Sequence, residues 1–377
     1  NAEMENVSCL ETTATNANFT LANMQRAKFL GSNLSGSNLD SANLRKSIFL
    51  EANLSKCNLN EADLSNSDFS RTDMSHATIV ESNLSRGRFN GANLESVDFT
   101  DSRLSMAVFF EANFKNANLN RAQVKGAKLA GGTFENTSLP RADITGADLT
   151  DAKFLNSNLS RAKLNGAILR RTDLKGSDLS EADLSIADLT GASLIEVKLI
   201  GANMERIKLN QAKLPGAQLC GAKINKAKLA QVDLSKADLS GANLTGADLT
   251  ESNLQDCDLS RANLTEATLK KANLKSTFLI GANLQKADLT EVNLEEANIA
   301  GTKLGKANCQ KANMKKVDLQ RSDLEHADFS QADLTDANLT GSKLGDAYFK
   351  NANLTGADLS LADTTDTDFS NAKGYNS

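Results

Sequence analysis

The chain has 377 residues with no Trp, two Pro and two His, and its 42 Lys and Arg against 47 Asp and Glu give a net charge of −5. Leu and Ala supply most of its 40% hydrophobic residues, so a conventional core of large mixed side chains is not expected. The near balance of charge argues against general affinity for nucleic acid or anionic membranes. No apolar run approaches the roughly 20 residues of a membrane-spanning helix, so no membrane span is predicted.

Residues 1–18 are the least regular part of the chain. Cys9 and Ala14 stand there in slots that the rest of the sequence fills with large apolar residues. We expect residues 1–18 to form an N-terminal cap or an irregular first coil. The chain begins with Asn and shows no signal-like apolar stretch, which indicates a processed or truncated product. We expect a cytoplasmic location, with a secreted or lumenal one as the alternative.

A five-residue period runs without a slip through residues 19–369. Every fifth position from Phe19 to Phe369 is Leu, Phe, Ile, Met or Val, with Cys309 and Thr364 as the only exceptions. A small residue stands two places earlier and a mostly polar one lies between them, as in Ala242-Asn243-Leu244-Thr245-Gly246. Successive side chains of an extended segment point to opposite faces. The small residue and the large apolar residue of each unit are therefore predicted to point inward, and the polar residue between them outward. A helix is excluded because a five-residue spacing gives no single apolar face at 3.6 residues per turn.

The last two residues of each unit are predicted to turn a corner. Eighteen of the 23 Gly occupy the final place of the five, and both Pro stand just before it, as in Pro215-Gly216. This is the order that a type II turn requires. Phe recurs at intervals of four units, as in Phe29, Phe49 and Phe69, which predicts four units in each coil, with like side chains stacked. Residues 370–377 leave the period and are expected to form a C-terminal tail.

The repeated units resemble the pentapeptide repeat proteins, whose consensus is Ala-Asp/Asn-Leu-x-x. The resemblance covers nearly the whole chain, and it implies an all-β fold, a right-handed quadrilateral parallel β-helix without interrupting loops. On that fold, 377 residues give about 19 coils and a rod roughly 90 Å long. Terminal coils of such a rod need caps, because they expose unpaired backbone edges.

Three outward surfaces are candidate sites for a protein partner, and the first is an apolar strip near the N-terminus. It consists of Leu10, Leu30 and Leu50 in one corner column, with Ile48 beside Leu50 and Phe110 further along. Contiguous exposed apolar residues indicate an interaction surface. We predict that residues 1–15 fold back over this strip as a cap or that the strip supports self-association. A partner site is the alternative, and a homo-oligomer formed through one end is also predicted.

The second surface is a corner column that reads Glu61, Glu81, Asp101, Arg121, Arg141, Arg161 and Glu181. A candidate patch for an anion or an acidic partner is formed by Arg121, Arg141 and Arg161. The alternative interpretation is an ordinary solvated face whose charge is neutralised by neighbouring acids. The third surface is acidic: residues 322–377 include Asp358, Asp363, Asp366 and Asp368, with few cations. Its field would steer a basic partner, but a solvated terminus is the favoured interpretation.

No catalytic, metal-binding or cofactor-binding residues are predicted. The five Cys show no metal-ligand spacing, and His76 and His326 lie far apart in sequence. The leading hypothesis is therefore a non-enzymatic rod that serves as a scaffold for protein partners. One alternative, implied by quinolone-resistance members of the family, is imitation of DNA to bind gyrase. The net charge of −5 argues against this alternative, because duplex DNA as long as the expected rod of roughly 90 Å carries about 50 negative charges. A secreted bacterial effector, or a regulatory rod like those of cyanobacteria, is the other alternative.

Overall fold

The computed structural model describes residues 2–375, which form two compact units, Asn1–Ala192 and Ser193–Ser377. Each unit is a β-helical solenoid in which a single bridge residue recurs every five positions, from Glu3 onward in the first unit and as far as Lys373 in the second. No helix occurs in residues 2–375. The described part of the chain therefore offers no helix with the length and hydropathy of a membrane span.

The pairing register within each unit advances by four five-residue repeats. Asn53 bridges in parallel to Asn33 and to Asp73, and in the second unit Asn253 bridges in the same way to Asp233 and Asn273. Four repeats thus complete one coil before the chain returns beside its starting point. The four-repeat coil predicted from the Phe spacing is confirmed within each unit.

Four backbone hydrogen bonds per repeat hold the solenoid together, and in three of them the donor reaches a neighbouring coil. The N–H of Leu54 donates to the carbonyl of Asp73 in the following coil at 2.7 Å, the N–H of Asp73 donates to Ala52 in the preceding coil at 3.0 Å, and the N–H of the corner residue Glu51 also donates to the following coil at 3.1 Å. The fourth bond closes the corner, from Ala52 N–H to the carbonyl of Phe49 at 3.0 Å. Four of the five backbone N–H groups of such a repeat are therefore satisfied by the backbone, although no strand is longer than a bridge.

The corner geometry explains why Gly is preferred at one position of the turn and why other residues are also accepted there. The third residue of each four-residue turn has a positive φ, at every fifth position from Asn6 to Asn371. With the bond from the fourth residue to the first, this is the arrangement of the predicted type II turn. Many of these positions carry side chains, including Arg, Lys, Asp and Glu, whose left-handed backbone is held by the regular pairing on both sides.

The core of each unit is built from stacked side chains. Consecutive rings lie 4.3–5.3 Å apart at interplanar angles of 18° or less, the geometry of stacked rings. The first unit contains the stacks Phe29-Phe49-Phe69-Phe89-Phe109 and Phe114-Phe134-Phe154, and the second contains Phe329-Phe349-Phe369. The predicted aromatic stacks are confirmed.

Ser and Thr are accepted in the small inward slot because their hydroxyls find backbone acceptors. Ser67 is buried and its hydroxyl donates to the carbonyl of Leu44 at 2.6 Å, and Thr72 donates in the same way to Phe49 at 2.9 Å. Each acceptor belongs to the preceding coil. These bonds remove the cost of burying a hydroxyl and add a further link between coils.

The first and last described residues differ in how they meet the solenoid. Glu3 bridges to Asn23 and Thr13 bridges to Asn33, so residues 3–13 continue the four-repeat register. At the other end, Tyr375 stacks on Phe369 with ring centroids 3.8 Å apart. Gly374 makes that contact possible, since a Cβ there would lie 2.6 Å from the backbone of Thr355. Residues 376 and 377 lie outside the described range, and the division of the chain at residues 18 and 370 stays a prediction.

Candidate functional site

Outward side chains of the first unit form a column of charge that we call the Arg corner, consisting of Arg121, Arg141 and Arg161. All three have a left-handed backbone, with φ between 57° and 59°, because each is the third residue of a corner turn. The turn directs their side chains away from the core into solvent. The four-repeat register then places them on successive coils, with Asp101 before them and Glu181 after them.

Ion pairs hold the two outer arginines of the Arg corner. Arg121 Nε donates to Asp101 Oδ1 at 2.7 Å, and its Nη2 donates to Asp101 Oδ2. Arg161 makes a similar two-point contact with Glu181, at 3.0 and 3.1 Å. Hydrogen bonds from the guanidinium groups lower the pKa of Asp101 and of Glu181, and the carboxylates in turn raise the pKa of Arg121 and Arg161.

Arg141 is the central member of the Arg corner and has no such partner. Among residues 2–375, no carboxylate oxygen lies within 4.0 Å of its guanidinium. The neighbouring side chains lean away from it toward Asp101 and Glu181, which leaves a shallow recess of about 360 Å³. The recess is lined by Asn120, Arg121, Pro140, Arg141, Ser160, Arg161, Ser180 and Glu181. The structure thus brings the predicted patch together as one free and two paired cations.

A similar column that the sequence reading missed lies in the second unit. Lys286 Nζ is 3.3 Å from Glu266 and His326 Nδ1 is 3.6 Å from Asp346, while Lys306 lies between these two pairs. A recess beside Lys306 is also lined by Gln285, Gly305, Asp323 and Glu325. Reading the corner residues in steps of four repeats, as for the Arg corner, would have found it.

The acidic C-terminal residues have a structural role in addition to their charge. The carboxylates of Asp358, Asp363 and Asp368 accept hydrogen bonds from the residue two places later, as when Thr365 donates its hydroxyl at 2.7 Å and its N–H at 3.1 Å to Asp363. Bonds from the side-chain hydroxyl and then from the backbone lower the pKa of all three carboxyls. Asp366 instead occupies an exposed corner.

The N-terminal apolar strip is exposed to different degrees along its length. Leu10, Leu30 and Leu50 line one shallow recess, in which Leu10 is 60% exposed and the other two are half-buried. Ile48 is half-buried, and Phe110 is 41% exposed but lies three coils beyond Leu50. Residues 3–13 extend the solenoid instead of folding across these side chains, so the proposed cover for the strip is not formed by that segment.

The outward Asn and Asp residues proved to be part of the fold, which the sequence reading had assigned only to the surface. Asp248 Oδ1 accepts bonds from the N–H of Thr250 at 3.1 Å and from its hydroxyl at 2.6 Å. The Asn side chains of adjacent coils also bond to each other, as from Asn293 to Asn273 at 3.1 Å. The signal was present, because Asn or Asp followed two places later by Ser or Thr favours such local bonds.

Three of the five cysteines are buried. Burial raises the pKa of Cys57 to about 11 and that of Cys257 to about 12, and Cys309 is also buried. Cys220 is exposed and Cys9 is partly exposed, and both are free thiols. Within residues 2–375 no group of three or more His, Cys, Asp or Glu side chains could hold a metal ion.

The pairing register, the stacked core and the column-like surfaces define a β-helical repeat solenoid. The family profile described as pentapeptide repeats (8 copies) matches residues 2–40, 17–49, 117–156, 157–194, 187–225, 227–265 and 332–373. A profile described as a pentapeptide repeat region matches residues 52–129 and 252–329. The chain belongs to the pentapeptide repeat family.

Several solved structures resemble the chain. HetL, a pentapeptide repeat protein involved in heterocyst differentiation regulation in the cyanobacterium Nostoc sp. strain PCC 7120, is 29% identical over 66% of this chain and 92% of its own, with a TM-score of 0.24. QnrB1, a plasmid-mediated fluoroquinolone resistance protein, is 19% identical over 49% and 92%, with a TM-score of 0.29. A pentapeptide repeat protein of the Arabidopsis thaliana thylakoid lumen is 32% identical over 29% and 69%, with a TM-score of 0.13. Comparison with curated proteins gave no match.

Proposed function

We propose that this protein is a non-enzymatic β-helical scaffold that binds protein partners through its outward faces and corners. In this proposal the helix is right-handed and four-sided, with about 19 coils along the 377 residues. Residues 19–369 form its continuous body, with residues 1–18 and 370–377 as its end segments. Five cysteines without a pairing pattern favour a reducing compartment such as the cytoplasm.

The observation that carries the proposal is the unbroken register. Enzymes place catalytic groups in clefts and on loops, where several side chains converge on one substrate. Here every fifth residue from Glu3 to Lys373 is a bridge residue, so no loop is inserted in residues 2–375 to build such a cleft. The recesses that do occur are shallow and are lined by corner side chains. Such surfaces suit contact with another protein better than the enclosure of a small substrate.

The faces differ in what they offer a partner. Many outward Asn and Asp side chains are already engaged in bonds to their own turns or to the adjacent coil, as at Asp248 and Asn293. Corner side chains such as Arg141 and Leu10 are free to make outside contacts. We therefore place the partner sites at corners, with the Arg corner as the foremost and the apolar strip as a second site for a partner or another copy of the chain.

The proposal is tested by proximity labelling in the native cell with three forms of the protein. They are the wild type, a form with Arg121, Arg141 and Arg161 changed to Glu, and a control with Arg71 and Arg171 changed to Glu. The control positions are also left-handed corner arginines of the first unit. A scaffold predicts partners that the first variant loses and the control keeps. Identical lists would remove the Arg corner from the proposal, and turnover of a substrate by the purified protein would overturn it altogether.

Imitation of DNA is a second candidate, favoured by one observation. The lowered pKa of Asp358, Asp363 and Asp368 keeps these carboxylates ionised, so the last described coil presents a persistent negative surface. A gyrase supercoiling assay tests it, because inhibition that disappears when Asp358, Asp363, Asp366 and Asp368 are changed to Asn would support imitation. Absence of inhibition by the wild-type protein would reject it.

A further inference from the structure

We infer that the Arg corner binds an acidic helical segment of a protein partner, and that Arg141 is the first guanidinium to be engaged. The inference rests on the proposed scaffold function and adds the chemistry and conformation of the partner. It draws on three features of the first unit: the free cation, the exchangeable ion pairs beside it, and the spacing of the coils.

The first feature is the opening around Arg141. Arg121 is drawn toward Asp101 and Arg161 toward Glu181, so the two neighbours lean in opposite directions. A guanidinium has five N–H donors in a planar fork, and a carboxylate is the group that meets two of them at once. In residues 2–375 no carboxylate takes that place at Arg141. Ser160 and Ser180 line the same recess and add hydroxyl donors for an incoming anion.

The second feature is the exposure of the neighbouring ion pairs. The side chains of Arg121 and Asp101 are 51% and 32% exposed, and those of Arg161 and Glu181 are 53% and 60% exposed. Exposed ion pairs contribute little net stability, so a carboxylate of a partner can replace Asp101 or Glu181 at almost no cost. The Arg corner therefore offers one cation that is free and two that can exchange acids.

The third feature is the spacing, which selects the conformation of the partner. In these coils the stacked rings of Phe114, Phe134 and Phe154 lie 4.6 and 4.3 Å apart, which indicates a rise of about 4.5 Å per coil, close to the usual spacing of neighbouring strands. Residues three and four apart on a helix rise by about 4.5 and 6 Å. Alternate residues of a strand rise by about 6.7 Å and lose register after one step. Glu residues at positions i, i+3 and i+7 of a helix laid along the column span about 10.5 Å, against about 9 Å for two coil spacings, and the flexible Arg and Glu side chains take up the difference.

The column around Lys306 in the second unit serves as an internal comparison. It repeats the order of acid, three basic residues and acid, and within residues 2–375 no carboxylate oxygen lies within 4.0 Å of the Lys306 ammonium at its centre. However, Asp323 and Glu325 both line its recess, whereas Glu181, the carboxylate that lines the recess of the Arg corner, is paired with Arg161. The carboxylates of Asp323 and Glu325 repel an acidic segment, so we assign the binding to the Arg corner alone.

The test uses three fluorescein-labelled, alanine-rich helical peptides of about 20 residues. The first carries Glu at i, i+3 and i+7, the second carries the same number of Glu spread around the helix, and the third has Gln in place of Glu. Binding is followed by fluorescence anisotropy at low salt and again at physiological salt, where surface charge pairs weaken. The protein variants are Arg141→Gln and, as a matched control, Arg171→Gln. Arg171 is also a left-handed corner arginine, but it pairs with Asp151 outside the Arg corner.

We expect the first peptide to bind more tightly than the second and the third not to bind. Arg141→Gln should weaken binding about fivefold, and Arg171→Gln should leave it within about twofold. Equal binding of the first two peptides, or equal loss with the two variants, would overturn the inference, because it would reveal attraction to net charge only. Circular dichroism melting checks that both variants fold as the wild type does. If the first peptide fails to bind while proximity labelling still finds partners, the inference fails and the proposed scaffold function stands.

Discussion

Replacing Phe134 with Leu tests whether the aromatic stack contributes to stability beyond the burial of its members. Phe134 is 1% exposed and lies between two parallel rings, with centroid distances of 4.6 Å to Phe114 and 4.3 Å to Phe154. Leu is already the commonest residue in this inward slot, so Phe134→Leu keeps the side chain apolar and the fold intact. What it removes is two ring contacts.

The magnitude follows from counting those contacts. An aromatic pair contributes about 0.5–1.5 kcal/mol beyond area burial, so Phe134→Leu should cost about 1–3 kcal/mol. Phe154→Leu is the matched control, because Phe154 is equally buried but lies at the end of its stack, with one stacked neighbour. It should cost about 0.5–1.5 kcal/mol, roughly half as much.

The difference between the two variants can be measured by native-state hydrogen exchange of the affected coils. This method reports local opening, which suits a solenoid whose unfolding need not be two-state. A cost for Phe154→Leu equal to or larger than that for Phe134→Leu would refute the reasoning, since it would show that burial and cavity formation outweigh ring stacking.

Three further predictions concern a corner, a turn and the buried thiols. Ile186 is β-branched, 57% exposed and held at φ 53°, so Ile186→Asn should stabilise its unit by about 1 kcal/mol. A melting temperature that does not rise would contradict strain there. The pKa of Asp363 is lowered by its bonds to Thr365, so their contribution is present above the unfolded pKa of about 3.9 and is lost as the pH falls through the lower folded value. Asp363→Asn should keep the acceptor but remove that pH dependence from hydrogen exchange at Thr365, and an unchanged dependence would oppose this. Burial raises the pKa of Cys57 and Cys257, so both should react with Ellman's reagent at pH 8 only after denaturation. Rapid reaction of the native protein would contradict it.

The four-repeat coil could be predicted from the sequence because large side chains fit the narrow core only where they stack on one another, and this happens at fixed intervals along the chain. Phe49 and Phe69 can occupy one narrow stack only if the chain returns after four repeats, and their rings do lie 5.0 Å apart. The corner turns could be predicted for a similar reason, since Pro215 and Gly216 fit few other backbone conformations. These inferences rest on local steric rules that hold in every repeat, so each repeat supplied an independent test of them.

The candidate site could be predicted only as a set of residues. The column of Arg121, Arg141 and Arg161 followed from the four-repeat register, but the direction in which each side chain turns did not. That direction depends on which acid each arginine reaches, and Asp101 and Glu181 are neighbours only across coils. The stacking of Tyr375 on Phe369 was missed for the same reason, because one residue outside the period carries no repeated signal.

The constraints on the fold also indicate where specificity for a partner must lie. In each repeat the two inward slots are fixed by packing, and the outward Asn or Asp is largely committed to bonds within its own turn or with the adjacent coil, as at Asp248. The two corner residues are restricted mainly by backbone conformation, and that conformation is accepted by residues as different as Arg141, Ile186 and Glu251. Sequence variation that keeps the fold is therefore concentrated at the corners. The four-repeat register aligns the corner residues of successive coils, so that they form columns on the surface. A partner that distinguishes one such solenoid from another must contact those columns, and the order of acids and bases along each column is the feature it can recognise.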